Sequence, residues 1–519
     1  MNLSKILQIN GNKYPDREAL VLGEQRLTYR QWNEQADHLA QHLQQRGIQR
    51  GDKVVLMMPN VPDFAILYFA VLRAGGVVVP INVQFSRDEV AYILEDCQAK
   101  GLVVHEGVFP AVAELAKMQS SRFYVKTGPP EGRWESLGDW KSSLTRGQAD
   151  TFDPMTLTEE DEVDILYTSG TTGRPKGVRF SHGNLLTVGT MTAIEFEVNL
   201  ESRILHMMPL SHSAPLHLMF ISAVIVGASH VFYPSFAPDL FLRLVEQERV
   251  THFFGAPVAY LLSMQEPAFH RTDLSSVKYW LYGGAPLSKT QADAIAEGFG
   301  KDKLVCVYGL TEAGPSGTLM HHRDHHEKSG SIGRRGALFT EVEIVDEEGQ
   351  PCPVGQIGEI RLRGEGMMQG YLNRSKEMAQ TLKNGWVYSG DLAFRDEDGF
   401  FWIVDRKKDV IITGGINVYP KEVEDALGSH PAVEEVAVVG LPHQTWGETV
   451  TAFVVPKPGK SPLDEEAWLK EIRCFLKGKI AEYKIPRRVK VLTELPRNTS
   501  GKILKHQLKE NRTGSGSYA

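Results

Sequence analysis

Cysteine is scarce: four occur in 519 residues, at Cys97, Cys306, Cys352 and Cys474. Their wide spacing excludes a disulfide framework and a Cys-rich zinc cluster, and it suits a reducing cytoplasm. Long apolar runs are lacking too. Phe64 to Ile81 comes nearest, at the lower limit of spanning length, but Arg73 and Gly75-Gly76 interrupt it. Met219 to Val231 is shorter and contains Ser222 and His230, so no transmembrane segment is expected. Met1-Asn2-Leu3-Ser4-Lys5 opens no signal-like hydrophobic segment. An excess of positive charge is also missing. The net charge of −7 argues against a general nucleic-acid binder. There is no internal repeat and no long low-complexity region.

What is present is the composition of an ordinary globular protein, 42% hydrophobic and 23% charged. The length exceeds what one hydrophobic core usually sustains, so at least two domains are expected. Trp32 to Gln45 carries Ala36, Leu39, Ala40 and Leu43 at helical spacing and stops at Gly47. Val54 to Met58 follows as a buried strand, Asp63 to Ala74 as a helix, and Val77 to Pro80 as another extended run. Long helical patterns alternating with short β-branched runs predict an α/β fold with layered, largely buried strands.

From Phe339 to about Val404 the runs shorten and are broken by Gly, Pro and Asp, which predicts a β-rich subdomain. Asp405-Arg406-Lys407-Lys408-Asp409 is a polar break between apolar strands, readable as a linker or as a hinge. Beyond it the spacing predicts helices over Lys421–Leu427 and Glu465–Ile480, with strands over Val436–Val439 and Val450–Val455. These make a small α+β domain. Residues 511–519 are expected to be a disordered tail.

The chemistry starts at Tyr167-Thr168-Ser169-Gly170-Thr171-Thr172-Gly173-Arg174-Pro175-Lys176-Gly177. Glycines let the backbone N–H groups turn toward an anion, the hydroxyls add donors, and Lys176 supplies a mobile positive charge. This composition suits a polyphosphate. It is not the common G-x-x-x-x-G-K-[ST] loop, because Pro175 stands where the second glycine belongs and Gly177 follows the lysine.

Four other segments can complete a nucleotide site. Gly283-Gly284-Ala285-Pro286 lets backbone come close to a flat ligand. Tyr308 offers a ring to stack on a base, and Thr311-Glu312 follows with a hydroxyl and a carboxylate able to hold Mg²⁺ shared with phosphates. Asp391 can accept both hydroxyls of a ribose. Lys502, in Pro496-Arg497-Asn498-Thr499-Ser500-Gly501-Lys502, lies in a polar, turn-prone setting near the end of the chain.

Taken in this order, the segments resemble the adenylate-forming superfamily, in its acyl-CoA synthetase branch, over nearly the whole chain. The resemblance implies a multi-layer large domain over 1–404, a hinge over 405–409, and a mobile C-terminal domain over 410–510. It also implies ATP, Mg²⁺ and coenzyme A, with a small carboxylic acid as the remaining partner, and it leaves a homodimer open. Thr168 to Lys176 would surround the β- and γ-phosphates, while Thr311 and Glu312 would meet the α-phosphate and metal. Tyr308 and Gly283 to Pro286 would hold adenine, and Asp391 the ribose with Arg406 nearby. Lys502 would bridge the substrate carboxylate and the α-phosphate during adenylation. Lys408 takes the hinge position, where Asp is commoner and Lys also occurs, and Gly414-Gly415 would border the pantetheine tunnel.

His212, in Met208-Pro209-Leu210-Ser211-His212, corresponds to a position flanking the acyl carboxylate; packing as a core histidine is its other reading. His182 suits capping or packing at least as well as ligand contact. The cluster His321 to His326 is expected to be a solvated segment rather than a metal site. An amino-acid substrate would need a counter-charge, and Ser213 to Phe220 supplies no acid. A medium- or long-chain fatty acid is therefore expected first and an aryl or cyclic carboxylate second. A non-catalytic nucleotide-binding scaffold is the alternative of another class.

Overall fold

The computed structural model describes residues 1–118, 121–143, 156–168, 174–284, 287, 289–459, 464–497 and 503–510. It is α/β, and it divides into two compact units, Met1–Val342 with Leu362–Tyr388, and Glu343–Arg361 with Ser389–Ala519.

Two large sheets build the first unit. One is nine-stranded and runs through Leu304–Tyr308, Tyr279–Gly283, His252–Gly255, Arg203–His206, Ser229–Phe232 and Glu18–Leu22, with all neighbours in this stretch parallel. The other is eight-stranded and centres on parallel Val77–Pro80, Lys53–Met57 and Gly101–Val104. The strand Lys53–Met57 shows why its sequence is continuously apolar. Val54 and Leu56 enter a core shared with Leu20 and Phe232 of the other sheet, while Val55 and Met57 enter a separate core with Val90, Ile93 and Leu94. Side chains alternate faces along a strand, so burial on both faces leaves no place for a polar period.

Helices fill the shared core. Tyr29–Gln45 begins with a capping box of Thr28 and Gln31 and buries Trp32, Ala36, Leu39, Ala40 and Leu43. Pro62–Arg73 is buried at every position except Asp63. Arg73, the break in the longest apolar run, is itself buried, and donates to Asp37 at 2.6 Å and to Asn33 Oδ1 at 2.6 Å. Among the described residues no helix is long and apolar enough to cross a membrane.

The expected β-rich segment is a five-stranded sheet made of Thr340–Val345, Gly358–Gly364, Trp386–Arg395, Leu382–Lys383 and Phe401–Arg406. The second unit holds a sheet in which Val433–His443 and Gly447–Pro456 form a long hairpin, extended by Ile411–Thr413 and Ile416–Val418 on one side of Gly447–Pro456 and by parallel Arg488–Val491. Val438, Ala452 and Val454 face the helices Pro420–Gly428 and Glu465–Leu476, packing with Val423, Leu427, Trp468 and Ile472. Ala437, Val439 and Phe453 point the other way, toward Leu495 and Leu508. The second helix stops short of Ile480 because Gly478 turns the chain at φ +79.

Candidate active site

The glycine-threonine loop springs from an antiparallel pair, Glu162–Thr168 and Lys176–Ser181, with Thr168 opposite Lys176 and Tyr167 opposite Gly177. Ser169, Gly170, Thr171, Thr172 and Gly173 lie outside the described residues. The hairpin is gripped from the side by groups that the sequence did not single out. Tyr167 Oη donates to Asp96 Oδ2 at 2.8 Å, Arg374 pairs with Asp96 at 2.8 Å, and Tyr92 Oη donates to the Pro175 carbonyl at 3.2 Å.

Gly283 and Tyr308 emerge at the carboxyl ends of adjacent parallel strands, with Gly283 opposite Val307. Ligands of open α/β sheets bind at this end. A Cβ on Gly283 would lie 2.3 Å from the Val307 carbonyl oxygen. Gly283 is therefore needed for strand packing, and the open approach falls at Gly284. Ala285 and Pro286 lie outside the described residues.

The strand ending at Tyr308 leads into the turn Thr311–Ala313. Thr311 Oγ1 shares a hydrogen bond with Ser213 Oγ at 3.1 Å, which brings the hydroxyl against the His212 segment. His212 Nε2 is buried and without a partner among the described residues, and burial lowers its pKa, so the ring is neutral near pH 7. Beyond it, Ala214–Ile221 is a π-helix, a wide turn often found at functional sites. Below that helix Asp164 is fully buried, but Tyr68 Oη at 2.7 Å and His217 Nε2 at 3.0 Å already occupy Oδ2.

Glu312 accepts from Tyr371 Oη on Oε1 at 2.7 Å, and among the described residues Oε2 has no hydrogen bond. No group of three or more His, Cys, Asp or Glu able to enclose a metal occurs among the described residues. One hard oxygen with an open lone-pair face fits Mg²⁺ held mainly by phosphates and water, as this ion prefers, rather than a protein cage.

In the second unit, Asp391 and Arg406 stand opposite each other on paired strands, with Arg406 Nε 2.6 Å from Asp391 Oδ1. The expected ribose carboxylate and its arginine are thus together. Lys408 sits exposed in the turn Lys407–Asp409. Gly414 and Gly415, at φ +59 and +79, form the two-residue turn between Ile411–Thr413 and Ile416–Val418, a left-handed pair that Gly-Gly satisfies without strain. Trp446, 42% exposed, closes on this turn: a Cβ at Gly414 would meet its ring at 3.0 Å. The Arg487 guanidinium lies 4.3 Å from the Trp446 ring centroid. An exposed aromatic in the polar turn His443 to Gly447 was the available signal for Trp446.

Lys502 lies outside the described residues. Its flanks are fixed by an antiparallel bridge between Arg497 and Ile503 and by Leu504 N donating to the Pro496 carbonyl at 2.8 Å. The remaining histidines divide. His182 is buried and accepts from Leu3 N at 3.2 Å, a packing role in which burial lowers its pKa to about 4. His325 corrects the expectation of a solvated cluster. It is 2% exposed and packs near Tyr282, since the short helix His325–Lys328 turns that ring inward.

A hairpin suited to phosphates and a glycine–aromatic shelf at the strand ends define a nucleotide-binding α/β enzyme. Comparison with known proteins agrees. The family described as AMP-binding enzyme matches residues 7–372, and the AMP-binding enzyme C-terminal domain matches 422–502. A feruloyl-CoA synthase of an Amycolatopsis species is 36% identical over 497 residues, covering 95% of this chain and 96% of that protein. A long-chain-fatty-acid–CoA ligase of Bacillus subtilis is 33% identical over 539 residues, covering 98% and 94%. The solved structure of an anthranilate CoA ligase in complex with anthranoyl-AMP matches with a TM-score of 0.88 at 28% identity, covering 98% of this chain and 97% of that one. The chain belongs to the AMP-binding enzyme family, within the adenylate-forming superfamily, and is an AMP-forming acid–thiol ligase.

Proposed function

We propose that this ligase activates a carboxylic acid with an apolar body and no cationic group, a medium- or long-chain fatty acid first. In the first half-reaction a carboxylate oxygen attacks the α-phosphorus of ATP, the bond to pyrophosphate breaks, and an acyl-adenylate forms. In the second the coenzyme A thiol attacks the acyl carbon, and AMP leaves. Thr168 to Lys176 bind the β- and γ-phosphates, and Thr311 with Glu312 meets the α-phosphate. Gly283 to Pro286 and Tyr308 hold adenine. Asp391 takes the ribose, with Arg406 beside it. Lys502 orients the carboxylate against the α-phosphate as a fixed positive charge. Mg²⁺, when bound beside Glu312, offsets phosphate charge. Gly414 and Gly415 border the thiol's path, with Trp446 available to its nucleotide end, and Lys408 is the pivot of a hinge over 405–409 that separates a large domain from a small one.

The acid class rests on one observation. Asp164, the carboxylate that His217 of the Ala214–Ile221 helix meets, is committed to Tyr68 and His217 and is not free to balance a substrate ammonium. Leu216, Leu218, Met219 and Phe220 of that helix are buried and apolar. An aryl or cyclic acid is the second reading, favoured by the higher identity to the feruloyl-CoA synthase than to the fatty-acid ligase.

Acid-dependent pyrophosphate exchange across saturated fatty acids and substituted cinnamic and benzoic acids tests both. The expected result is exchange that is strongest with fatty acids of medium or long chain. Strongest exchange with an aryl acid transfers the assignment to the second reading, and exchange only with amino acids overturns both. ATP binding without exchange would mark a nucleotide scaffold.

A further inference from the structure

Two groups of opposite charge, Lys176 and Glu312, are expected on the same triphosphate. Opposite charges attract, so a lysine and a glutamate that met there would tend to pair. Among the described residues neither forms an ion pair. Between them stands Tyr371. Its hydroxyl donates to Glu312 Oε1 at 2.7 Å, and Lys176 Nζ lies 5.5 Å from its ring centroid, within the range of a cation–π contact.

The backbone around Tyr371 ties the same two places together. Gly370–Tyr371 pairs antiparallel with the strand Lys176–Ser181, Tyr371 opposite Val178, and Leu372 N donates to the Gly177 carbonyl at 2.8 Å. Met368 N donates to the Glu312 carbonyl at 3.0 Å. One five-residue segment therefore fixes both the outgoing strand of the phosphate hairpin and the turn that carries the carboxylate.

We propose that Tyr371 is a positioning residue, which holds Glu312 by its hydroxyl and Lys176 by its ring face and so keeps both charges available to magnesium-bound ATP. The proposal rests on the reading of Lys176 and Glu312 given above. Ligating carboxylates are themselves hydrogen-bonded, and loss of that partner costs about tenfold in metal affinity.

The test uses the full-length enzyme with Mn²⁺ as a paramagnetic probe and a non-hydrolysable ATP analogue, free Mn²⁺ being read by electron paramagnetic resonance. Tyr371→Phe keeps the ring and removes the hydroxyl. It is expected to weaken Mn²⁺ binding about tenfold, leave analogue affinity in EDTA unchanged, and raise KM for magnesium-ATP in the exchange assay more than it lowers kcat. Tyr371→Leu removes the ring as well, and analogue affinity should then fall even without metal. Glu312→Gln serves as the reference and should weaken Mn²⁺ at least as far as Tyr371→Phe. Parental Mn²⁺ affinity in Tyr371→Phe, whatever its melting temperature, overturns the role of the hydroxyl if Glu312→Gln weakens. Parental affinity in Glu312→Gln overturns the reading of the carboxylate itself. Unchanged analogue affinity in Tyr371→Leu overturns the role of the ring.

Discussion

Three residues beyond Lys502, Lys505 is half-buried with Nζ 2.7 Å from Glu424 Oε1, a carboxylate that also accepts from Val438 N at 2.7 Å. Burial works against the charge of Lys505, but Glu424 and Asp405 outweigh it and hold its pKa above the ordinary value. This anchor follows the segment on which acid activation is expected to turn. Replacing Lys502 with alanine should slow acyl-adenylate formation by about a hundredfold or more, the scale of a lost preorganised charge. Thioester formation from preformed acyl-AMP should remain close to parental. Equal loss in both half-reactions, measured separately by pyrophosphate exchange and by CoA consumption, would remove the assignment. Lys502 stood out in the sequence because charge, hydroxyls and glycine sit together there. Tyr371 did not, since a Gly-Tyr pair in a β-rich stretch says nothing of the carboxylate at Glu312 until the fold brings them together.

Short elements carry the second half-reaction in the proposed reading. A side chain at Gly414 would press on the Trp446 ring, and Lys408 occupies a single turn between two strands. Gly414→Val and Lys408→Pro should both leave pyrophosphate exchange near parental. Each should slow thioester formation, the valine by filling the thiol's path and the proline by stiffening the pivot. Parental rates of CoA consumption in both variants would count against the two roles.

At this scale most of the chain was readable. The helices near Trp32 and Asp63 and the strand at Val77 follow from period and from glycine stops, because burial there is one-sided for the first helix and complete for the others. What was misjudged has local causes. Val436–Val439 and Val450–Val455 extend to Val433–His443 and Gly447–Pro456, since hairpin pairing carries polar residues such as Glu435 and Thr449 into strands that composition alone would end. Spacing alone does not show that a side chain at position 283 would strike the Val307 carbonyl, a contact between strands separated by a whole helix.

Over the whole molecule, buried histidines make the first unit sensitive to acid. Burial lowers the pKa of His206 to about 3 and of His182, His252 and His325 to about 4. The unfolded chain binds these protons near the unperturbed value of about 6.5, whereas the folded chain refuses them. Stability from these groups is therefore complete above that value and lost as pH falls toward 4, each contributing about 1.4 kcal/mol per pH unit. Urea denaturation followed at pH 7, 6 and 5 should show a midpoint that falls steadily, with the change reduced in His325→Gln. A midpoint independent of pH over this range would contradict the burial of these rings as neutral groups. Their aggregate effect was not legible in advance, because a histidine run such as His321 to His326 looks hydrophilic in sequence, and only tertiary packing decides which ring is enclosed.

The pairing of Asp391 with Arg406 has one more effect. Both residues precede Lys408 and are joined across adjacent strands, so a swing about that residue would carry neither away from the other. The sugar of a tethered intermediate would stay clasped while the catalytic surface is exchanged, and the reactive anhydride would be guarded against escape between the two chemical acts. Rapid-dilution chase of radiolabelled acyl-AMP should accordingly show the same release rate in Lys408→Pro as in the parent enzyme, and faster release in Asp391→Ala.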